Sequence, residues 1–277
     1  MRILIIHNEY QIKGGEDSVV RNESELLQAG GDEVFLEIVH NTSINGVVSK
    51  LLAAMQCVFS ISQFLHWRKR IKIIKPDVVH VHNYFPLISP SVFYACGMEK
   101  VPVVHTLHNF RAICPTALLM QDGIVTDKSI DQGVWWALKK RVYRNSFIGT
   151  FILILMIEVH KIIGTWERKV DAFVALTDFS KDIYVRAGWP AEKIFVKPNF
   201  CQRNTVSDLT ERKEYALYVG RISTEKGIDF ILDAFSGSGM KLVVIGEGPL
   251  QDRFESLNDK NIEYLGVKSS EEVRGLM

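Results

Sequence analysis

A short segment near the carboxyl-terminal end combines two cations with a glycine-bearing loop. The apolar residues 217–219 are typical of a buried strand; Gly220 and Arg221 follow, and a helix is predicted to begin near Glu225 with Lys226 in its first turn. Loops of this kind bind anions, because unpaired backbone N–H groups and the helix dipole point at the same place. Arg221 and Lys226 could therefore close on a diphosphate from two sides. An ordinary βα loop with two solvated basic residues is the alternative interpretation.

Imidazole, amide and guanidinium side chains collect where the predicted strands of the amino-terminal half end. They are His7, Asn8, His80, His82, Asn83, His105, His108, Asn109 and Arg111. A zinc site is one interpretation, because HxH and HxxH pairs lie near Cys114. Carboxylate ligands and paired cysteines are missing from these segments, however, and the spacing fits no standard zinc finger. We therefore predict no metal ion here.

The same side chains fit a pocket for a polar ligand. His80 and His105 fall within or beside predicted strands, where a hydrogen-bonded histidine is an ordinary structural feature. Ligands of parallel α/β sheets bind at the carboxyl ends of the strands. We expect a pocket there that recognises hydroxyl or phosphate groups and includes His82, His108, Asn109 and Arg111.

Two further turns carry glycines just before a helical pattern. The first turn contains Gly14 and Gly15, and the second is the GxG sequence Gly246, Glu247 and Gly248. Glycines at such places let the backbone approach a ligand closely. Plain tight turns are an equal interpretation of the first pair, which does not match GxGxxG. The second turn is explained equally by a βα connection with Pro249 near the start of the helix.

Strand and helix patterns alternate along the whole chain. Strands are predicted at residues 2–7, 33–39, 77–82, 101–107, 170–176, 194–196, 217–219, 242–245 and 262–265. Helices are predicted at residues 19–29, 44–75, 89–98, 181–187 and 250–257. Capping patterns begin helices at Thr177 and Ser269. This alternation predicts an α/β fold of βαβ units with parallel sheets.

Length, charge and cysteine content bound the class of protein. The 277 residues suffice for two domains, which we place at residues 1–200 and 215–277 with a linker at 201–214. The formal net charge of +1 gives no signature of nucleic-acid binding. Four widely spaced cysteines without a CxxC pair suit the reducing cytoplasm. The amino terminus is interpreted as a first strand and not as a signal peptide.

Five segments together carry a family resemblance. They are GGED near the start, PDVVHVHN, HTLHNFRAICPTALLMQDG, KPNF and YVGRISTEKG, in that order. With them the chain resembles the retaining glycosyltransferases of family 4, a GT-B group that uses nucleotide-activated sugars. The resemblance implies two Rossmann-like domains facing a cleft, with the acceptor on the amino-terminal side and the nucleotide-sugar on the carboxyl-terminal side. Against that pattern, we expect the second domain of this sequence to be incomplete.

The resemblance also implies roles for individual residues. Gly15 would lie beside the donor phosphate and the acceptor, and His108 would be the catalytic residue that touches the donor sugar near its reacting carbon. Arg221 and Lys226 would hold the diphosphate, and residues 246–248 would form a second donor-side loop. Fixed cations can stabilise a departing diphosphate without a metal ion, and the sequence has no DxD motif. No cofactor is implied; a UDP- or GDP-linked sugar is the substrate.

Aromatic and basic residues are interleaved in a segment of the first predicted domain. They include Trp135, Trp136, Lys139, Lys140, Arg141, Tyr143, Arg144 and Phe147. The apolar run at residues 147–157 is shorter than the roughly 20 residues that span a bilayer. A core helix is the default interpretation of this run. Residues 135–157 could also contact the inner face of a membrane, because aromatic-basic helices bind anionic surfaces.

The second domain ends early for the family. The resemblance assigns a pair of glutamates separated by seven residues to the donor sugar and the ribose, but the family carries this pair in a later region, so we assign no such pair in this sequence. Exposed apolar faces and an open sheet edge are expected, which suggests a fragment or a complementing polypeptide.

Three functions are compatible with the sequence. The first is a hexosyltransferase that acts on a surface polysaccharide or a lipid-linked glycan. The second is a non-catalytic remnant or subunit that keeps an acceptor-binding domain. The third is a GT-B nucleotide-sugar epimerase, which shares the architecture, so only product analysis separates it from a transferase.

Overall fold

Two parallel β-sheets, each with its own apolar core, organise the chain. A computed structural model describes residues 1–10, 14–40, 56–200, 213–257 and 259–277. The chain divides into a first unit, Met1–Arg203, and a second unit, Asn204–Met277. The predicted linker lies almost entirely outside the described residues, as does the part of the predicted helix at residues 44–55.

The first unit is built on a six-stranded sheet and a two-stranded ribbon. The strands are β1 (Arg2–Glu9), β2 (Glu33–His40), β3 (Val78–Asn83), β4 (Val103–Leu107), β5 (Met120–Gln121), β6 (Ile124–Val125), β7 (Ala172–Ala175) and β8 (Ile194–Val196). The large sheet has the order β2-β1-β3-β4-β7-β8 with every pair parallel, and β5 and β6 form the antiparallel ribbon. The parallel βαβ architecture predicted from the sequence is confirmed.

Helices cover the large sheet. They are α1 (Gly15–Ala29), α2 (Ile61–Ile74), α3 (Ser91–Glu99), α4 (Lys128–Asp131), α5 (Trp136–Lys140), α6 (Phe147–Ile162), α7 (Thr165–Lys169) and α8 (Asp178–Arg186). The predicted cap at Thr177 is confirmed, because its side chain accepts a hydrogen bond from the Ser180 N–H at 3.0 Å. Helix α1 begins four residues earlier than the sequence pattern predicts, directly after Gly14.

The core of the first unit explains why its strands are so apolar. Strand β1 is buried along almost its whole length, and Leu4, Ile5 and Ile6 are fully inaccessible to solvent. A strand in the middle of a parallel sheet is covered on both faces, so both sets of alternating side chains are apolar. The apolar helix α6 packs into the same core through residues that include Leu153, Ile154, Met156 and Ile157. No helix among the described residues is long and apolar enough to cross a membrane.

The second unit has a three-stranded parallel sheet in the order β11-β10-β9. Its elements are β9 (Ala216–Val219), α9 (Ile228–Phe235), β10 (Leu242–Ile245), α10 (Asp252–Glu255), β11 (Ile262–Tyr264) and α11 (Ser270–Leu276). Five buried side chains form its core: Ile222, Ile228, Leu242, Val244 and Phe254. The predicted cap at Ser269 is confirmed by a reciprocal pair of hydrogen bonds with Glu272. Among the described residues, β9 and β11 are unpaired on their outer edges.

One predicted helix start is wrong. The sequence pattern predicts a helix from about Glu225, whereas Thr224–Lys226 forms a single 3-10 turn. Gly227 then adopts a left-handed conformation at φ 70°, and α9 begins only at Ile228. Lys226 therefore precedes the helix and is not part of its first turn.

We predict that Gly246→Ala destabilises the second unit by about 2–3 kcal/mol. Gly246 has φ 139°, and a methyl group there would overlap the carbonyl oxygen of Gly220. Amide hydrogen exchange of β9 and β10 should accelerate. Gly275→Ala is the matched control, because a methyl group at Gly275 meets nothing within 4 Å. Unchanged exchange in the Gly246 variant would contradict the close packing of these two loops.

Candidate active site

The polar residues of the first unit lie at the point where its strand order reverses. Strand β1 lies between β2 and β3, so the chain leaves β1 toward one side of the sheet and later continues on the other. Open α/β sheets bind ligands at the carboxyl ends of the strands at such a point. Strand β1 ends with His7, Asn8 and Glu9, and β3 ends with His82 and Asn83.

Helix α1 supplies a carboxylate to the end of β1. Asp17 accepts from His7, with 2.7 Å between its Oδ1 and the Nε2 of His7, and both side chains are buried. The other oxygen of Asp17 accepts from the Gly14 N–H at 2.7 Å. Asp17 thus anchors the glycine turn to the sheet. Gly14 and Gly15 are exposed, and an added methyl group at either would meet nothing within 4 Å, so the fold does not itself require glycine there.

Asparagine side chains fix the loops around these strand ends. Asn83 donates to the carbonyl oxygen of Asn8 at 2.8 Å and accepts from the Phe85 N–H at 2.9 Å. Asn8 accepts from the Leu87 N–H at 3.0 Å. Buried amides that are paired on both sides hold a single loop conformation, because an alternative would leave buried polar groups unpaired.

The predicted pocket residues line one small cavity. Its volume is about 20 Å³, and its lining includes His82, His108, Asn109 and Arg111. Nδ1 of His82 lies 3.0 Å from Nε2 of His108, and the two rings are stacked. The side chain of Asn109 accepts from the Arg111 N–H at 2.9 Å, and the Arg111 guanidinium lies over the ring of Phe85 at 4.8 Å. Four residues that were predicted to lie near the strand ends therefore line one cavity, whereas Gly14, which was also predicted for the acceptor pocket, is not among the lining residues.

Burial keeps the histidines neutral. Desolvation lowers the pKa of His108 to about 3 and the pKa of His80 and His105 to about 4, and it holds the pKa of His82 well below its usual range. His80 and His105 are hydrogen-bonded within the sheet, to the Thr106 hydroxyl and the Val81 carbonyl, as predicted. A neutral imidazole at His108 can donate or accept a hydrogen bond to a hydroxyl group but does not act as an acid near pH 7.

Glu16 is a site residue that sequence reasoning missed. Desolvation, followed by the nearby charge of Asp17, raises the pKa of Glu16 to about 7, although a hydrogen bond from Asn83 and the charge of Arg111 oppose the shift. Oε1 of Glu16 accepts from Asn83 at 3.2 Å. Near neutral pH this carboxyl is thus divided between its protonated and ionised forms. The GGED sequence contained the residue, but only the packing of α1 on β3 shows that it is desolvated.

Glu23 is the second carboxylate that the sequence pattern did not place. Its Oε1 lies 3.4 Å from Nδ1 of His80, and its Oε2 lies 3.1 Å from Nζ of Lys197. The premise that carboxylates are missing near the histidines is therefore wrong for the folded chain. The missing information is tertiary, because Glu23 is 57 positions from His80 in the sequence.

The loops at the carboxyl edge of the second sheet are joined through their backbones. Gly220 N donates to the Ile245 carbonyl at 3.0 Å, and Ile222 N donates to the Glu247 carbonyl at 2.9 Å. A methyl group on Gly248 would overlap the backbone of Ile222. Residues 246–248 are glycine-rich because another backbone passes against them.

Two exposed cations lie at the carboxyl edge of the second sheet. Arg221 and Lys226 are both exposed, and neither forms an ion pair with any described residue. The hydroxyl of Ser223, between them in the sequence, is buried and has no hydrogen-bond partner among the described residues. The two exposed cations can bind an anion through their charges. The α9 dipole contributes less than predicted, since the helix begins after Lys226 and has Asp229 in its first turn.

The two sheets define the class of protein. Two Rossmann-like units on one chain, with polar strand ends in the first and a glycine-rich double loop in the second, are the GT-B fold. A model of glycosyltransferase family 4 matches residues 19–202, and a model of the group 1 glycosyl transferases matches residues 203–277. The chain belongs to glycosyltransferase family 4, as the sequence resemblance indicated.

Three individual proteins are similar to this chain. An uncharacterized 41.2 kDa protein in the cps region of Klebsiella pneumoniae is 23% identical over 97% of this chain and 70% of its own. Alr3699/HepE of Anabaena, in complex with UDP, superposes with a TM-score of 0.57 at 13% identity, over 97% of this chain and 70% of that chain. The lipopolysaccharide outer core galactosyltransferase WaaB superposes with a TM-score of 0.53 at 16% identity, over 99% of this chain and 70% of that chain. These structural likenesses show the fold.

The raised pKa of Glu16 predicts a pH-dependent stability difference. Because the folded protein binds this proton more tightly than the unfolded chain does, the associated stability is present below pH 4.5 and is lost as the pH rises through about 7. Glu16→Gln removes that loss. The free energy of unfolding of the variant, relative to the parent, should rise by about 2–3 kcal/mol between pH 5 and pH 8.

Urea unfolding followed by tryptophan fluorescence measures this difference, since all five tryptophans lie in the first unit. Glu192→Gln, at an exposed site, is the control and should give a difference that does not change with pH. A flat difference for Glu16→Gln would mean that the carboxyl is solvated.

Proposed function

We propose that this protein is a hexosyltransferase that moves a sugar from a UDP- or GDP-linked donor onto a surface-polysaccharide or lipid-linked glycan acceptor, with retention of the anomeric configuration. Membership of family 4 supports the general reaction. A relative in a cps region and a structural neighbour named for the lipopolysaccharide outer core favour this acceptor class. The neighbour in complex with UDP favours a nucleotide-linked donor.

The proposal rests on two cations of the second unit that form no ion pair with any described residue. These cations, Arg221 and Lys226, are exposed in the loop after β9, and the backbone of that loop packs against the glycine-rich residues 246–248. A departing nucleoside diphosphate gains negative charge, and cations already held near it stabilise that charge without reorganisation. In this proposal the two side chains, not a metal ion, neutralise the diphosphate.

The first unit contributes the sugar side of the reaction in this proposal. His108 is partly exposed and neutral, which suits hydrogen bonding to a sugar hydroxyl group close to the reacting carbon. Gly15 is assigned to the donor phosphate and acceptor, and the open space around its Cα leaves room for them. Gly14, His82, Asn109 and Arg111 are assigned to the acceptor pocket.

We predict that Arg221→Ala together with Lys226→Ala weakens nucleotide binding at least about 100-fold, because each charge-assisted contact contributes roughly 1.5–3 kcal/mol. Isothermal titration of the parent with UDP, GDP and their sugar conjugates identifies the nucleotide. Lys260→Ala is the matched control: Lys260 is exposed on the same unit but precedes β11, at the opposite end of the strands. It should bind as the parent does.

Two results would overturn the assignment. A double variant that binds as tightly as the parent would remove the two cations from the donor site. A folded parent that binds no nucleotide would remove the donor site itself and favour the non-catalytic alternative. With a binding nucleotide-sugar in hand, product analysis separates the reactions: transfer yields a glycosylated acceptor with its anomeric centre retained, whereas an epimerase alters the nucleotide-sugar without an acceptor.

We also propose that the surface formed by α5 and the start of α6 contacts an anionic membrane. Its apolar side chains are exposed: Trp135 (51%), Phe147 (54%), Ile148 (57%) and Phe151 (37%). Trp135 and Phe151 are in contact, with ring centroids 6.3 Å apart. Its cations are Lys139, Lys140, Arg141 and Arg144, all exposed and without an ion pair to any residue that the structure describes. Aromatic anchors beside cations are typical of interfacial helices.

Vesicle sedimentation tests this surface. Each cation near an anionic bilayer contributes about 1 kcal/mol, so replacing all four with alanine should nearly abolish binding to phosphatidylglycerol vesicles. Binding by the parent should also weaken with added salt. Phe179→Ala, at a 65% exposed site on α8, is the control and should bind normally. Equal binding of the parent to neutral and anionic vesicles would contradict the proposal.

A further inference from the structure

We propose that Glu23, His80 and His82 of the first unit form a binding site for a divalent transition-metal ion, with Zn²⁺ as the ion that best suits the ligands. The sequence contained the two histidines but no carboxylate beside them. Helix α1 brings Glu23 beside His80 within β3, and one ligand atom from each of the three residues lies within 4.8 Å of the others.

The geometry follows from the secondary structure. His80 and His82 are two positions apart on β3, so their side chains lie on the same face of the strand. Glu23 approaches from α1, and its Oε1 is 3.4 Å from Nδ1 of His80. Tetrahedral zinc with bonds of about 2.0–2.2 Å places its ligand atoms about 3.4 Å apart. The carboxylate–imidazole separation therefore already matches a pair of zinc ligands.

An unsatisfied atom points to a missing partner. His82 is only 2% exposed, and its buried Nε2 has no hydrogen-bond partner among the described residues. A buried polar atom without a partner is costly and uncommon in folded proteins. A metal ion on this nitrogen would remove that cost.

The remaining atoms of the three ligands are already held by other residues. Nε2 of His80 is 2.7 Å from the hydroxyl of Thr106, and Nδ1 of His82 is 3.0 Å from Nε2 of His108. Oε2 of Glu23 accepts from Lys197 at 3.1 Å. Metal-binding histidines and carboxylates characteristically use their second atom in this way, and such partners fix the ligand orientation.

Two histidines and one carboxylate leave the fourth zinc position open for water or a small anion. Lys197 opposes the ion electrostatically, but its side chain is 46% exposed and can turn toward solvent. The donor set of two nitrogens and one oxygen suits zinc better than magnesium or calcium, which prefer oxygen ligands alone.

The ion would also fix the proton of a neighbouring histidine. Metal on Nε2 of His82 places that ring's hydrogen on Nδ1, which then donates to Nε2 of His108. His108, as a neutral ring, must then carry its own hydrogen on Nδ1 and present it as a donor. This consequence rests on the proposed function of His108, whereas the metal site does not.

The test is titration of the chelator-treated, full-length chain with Zn²⁺ by calorimetry, and with Co²⁺ by visible absorption. We expect one Zn²⁺ per chain, a tetrahedral cobalt spectrum and a rise in the thermal midpoint of the first unit. Glu23→Gln and His82→Gln should each weaken binding about 100-fold or more. His66→Gln, at an exposed site, is the matched control and should bind as the parent does.

Each outcome decides the question. No saturable binding by the folded parent at micromolar Zn²⁺ would overturn the proposal, even if a variant fails to fold. Binding that survives both substitutions would place the ion elsewhere. Because no nucleotide or acceptor is present, these results are independent of whether the protein transfers sugar.

Discussion

Desolvation of polar groups at the ends of β1 and β3 is the constraint on which the rest of the first unit depends. A central strand of a parallel sheet is buried, yet this one ends in imidazole and amide groups that need partners. Helix α1 supplies two carboxylates to these strands: Asp17 pairs with His7 near the end of β1, and Glu23 lies beside His80 within β3. The position of α1 is thereby fixed by polar contacts as well as by packing, and the glycine turn before it is fixed with it.

The second unit meets a different constraint. It has few buried side chains, and the loops that follow β9 and β10 are joined to each other by backbone hydrogen bonds. The side chains of Arg221 and Lys226 form no ion pair with any residue that the structure describes. Charged side chains that stabilise no fold are available to a ligand, whereas the buried histidines of the first unit are largely hydrogen-bonded to other groups of that unit.

Local patterns in the sequence predicted the strands of the two parallel sheets and the helix caps at Thr177 and Ser269, because these depend on periodicity and on residues a few positions apart. They also predicted that His80 and His105 are satisfied within the sheet. Glu16 and Glu23 could not be assigned, since their surroundings come from strands more than 50 positions away. The helix start predicted near Glu225 was wrong for a local reason. Gly227 adopts a left-handed conformation, so the 3-10 turn ends at Lys226 and α9 begins only at Ile228. That glycine was the available signal.

The two units have separate cores, and the two family models meet between residues 202 and 203, beside the division at Arg203. A core that is confined to one segment is not damaged when the neighbouring segment is exchanged for a homologous one. Gene recombination at this boundary would therefore preserve both folds. It would join the first unit of one homologue, with its polar strand ends, to the second unit of another homologue, with its cationic loop. New pairings of the chemistries carried by the two segments can thus arise in a single genetic event, without passing through unstable intermediates.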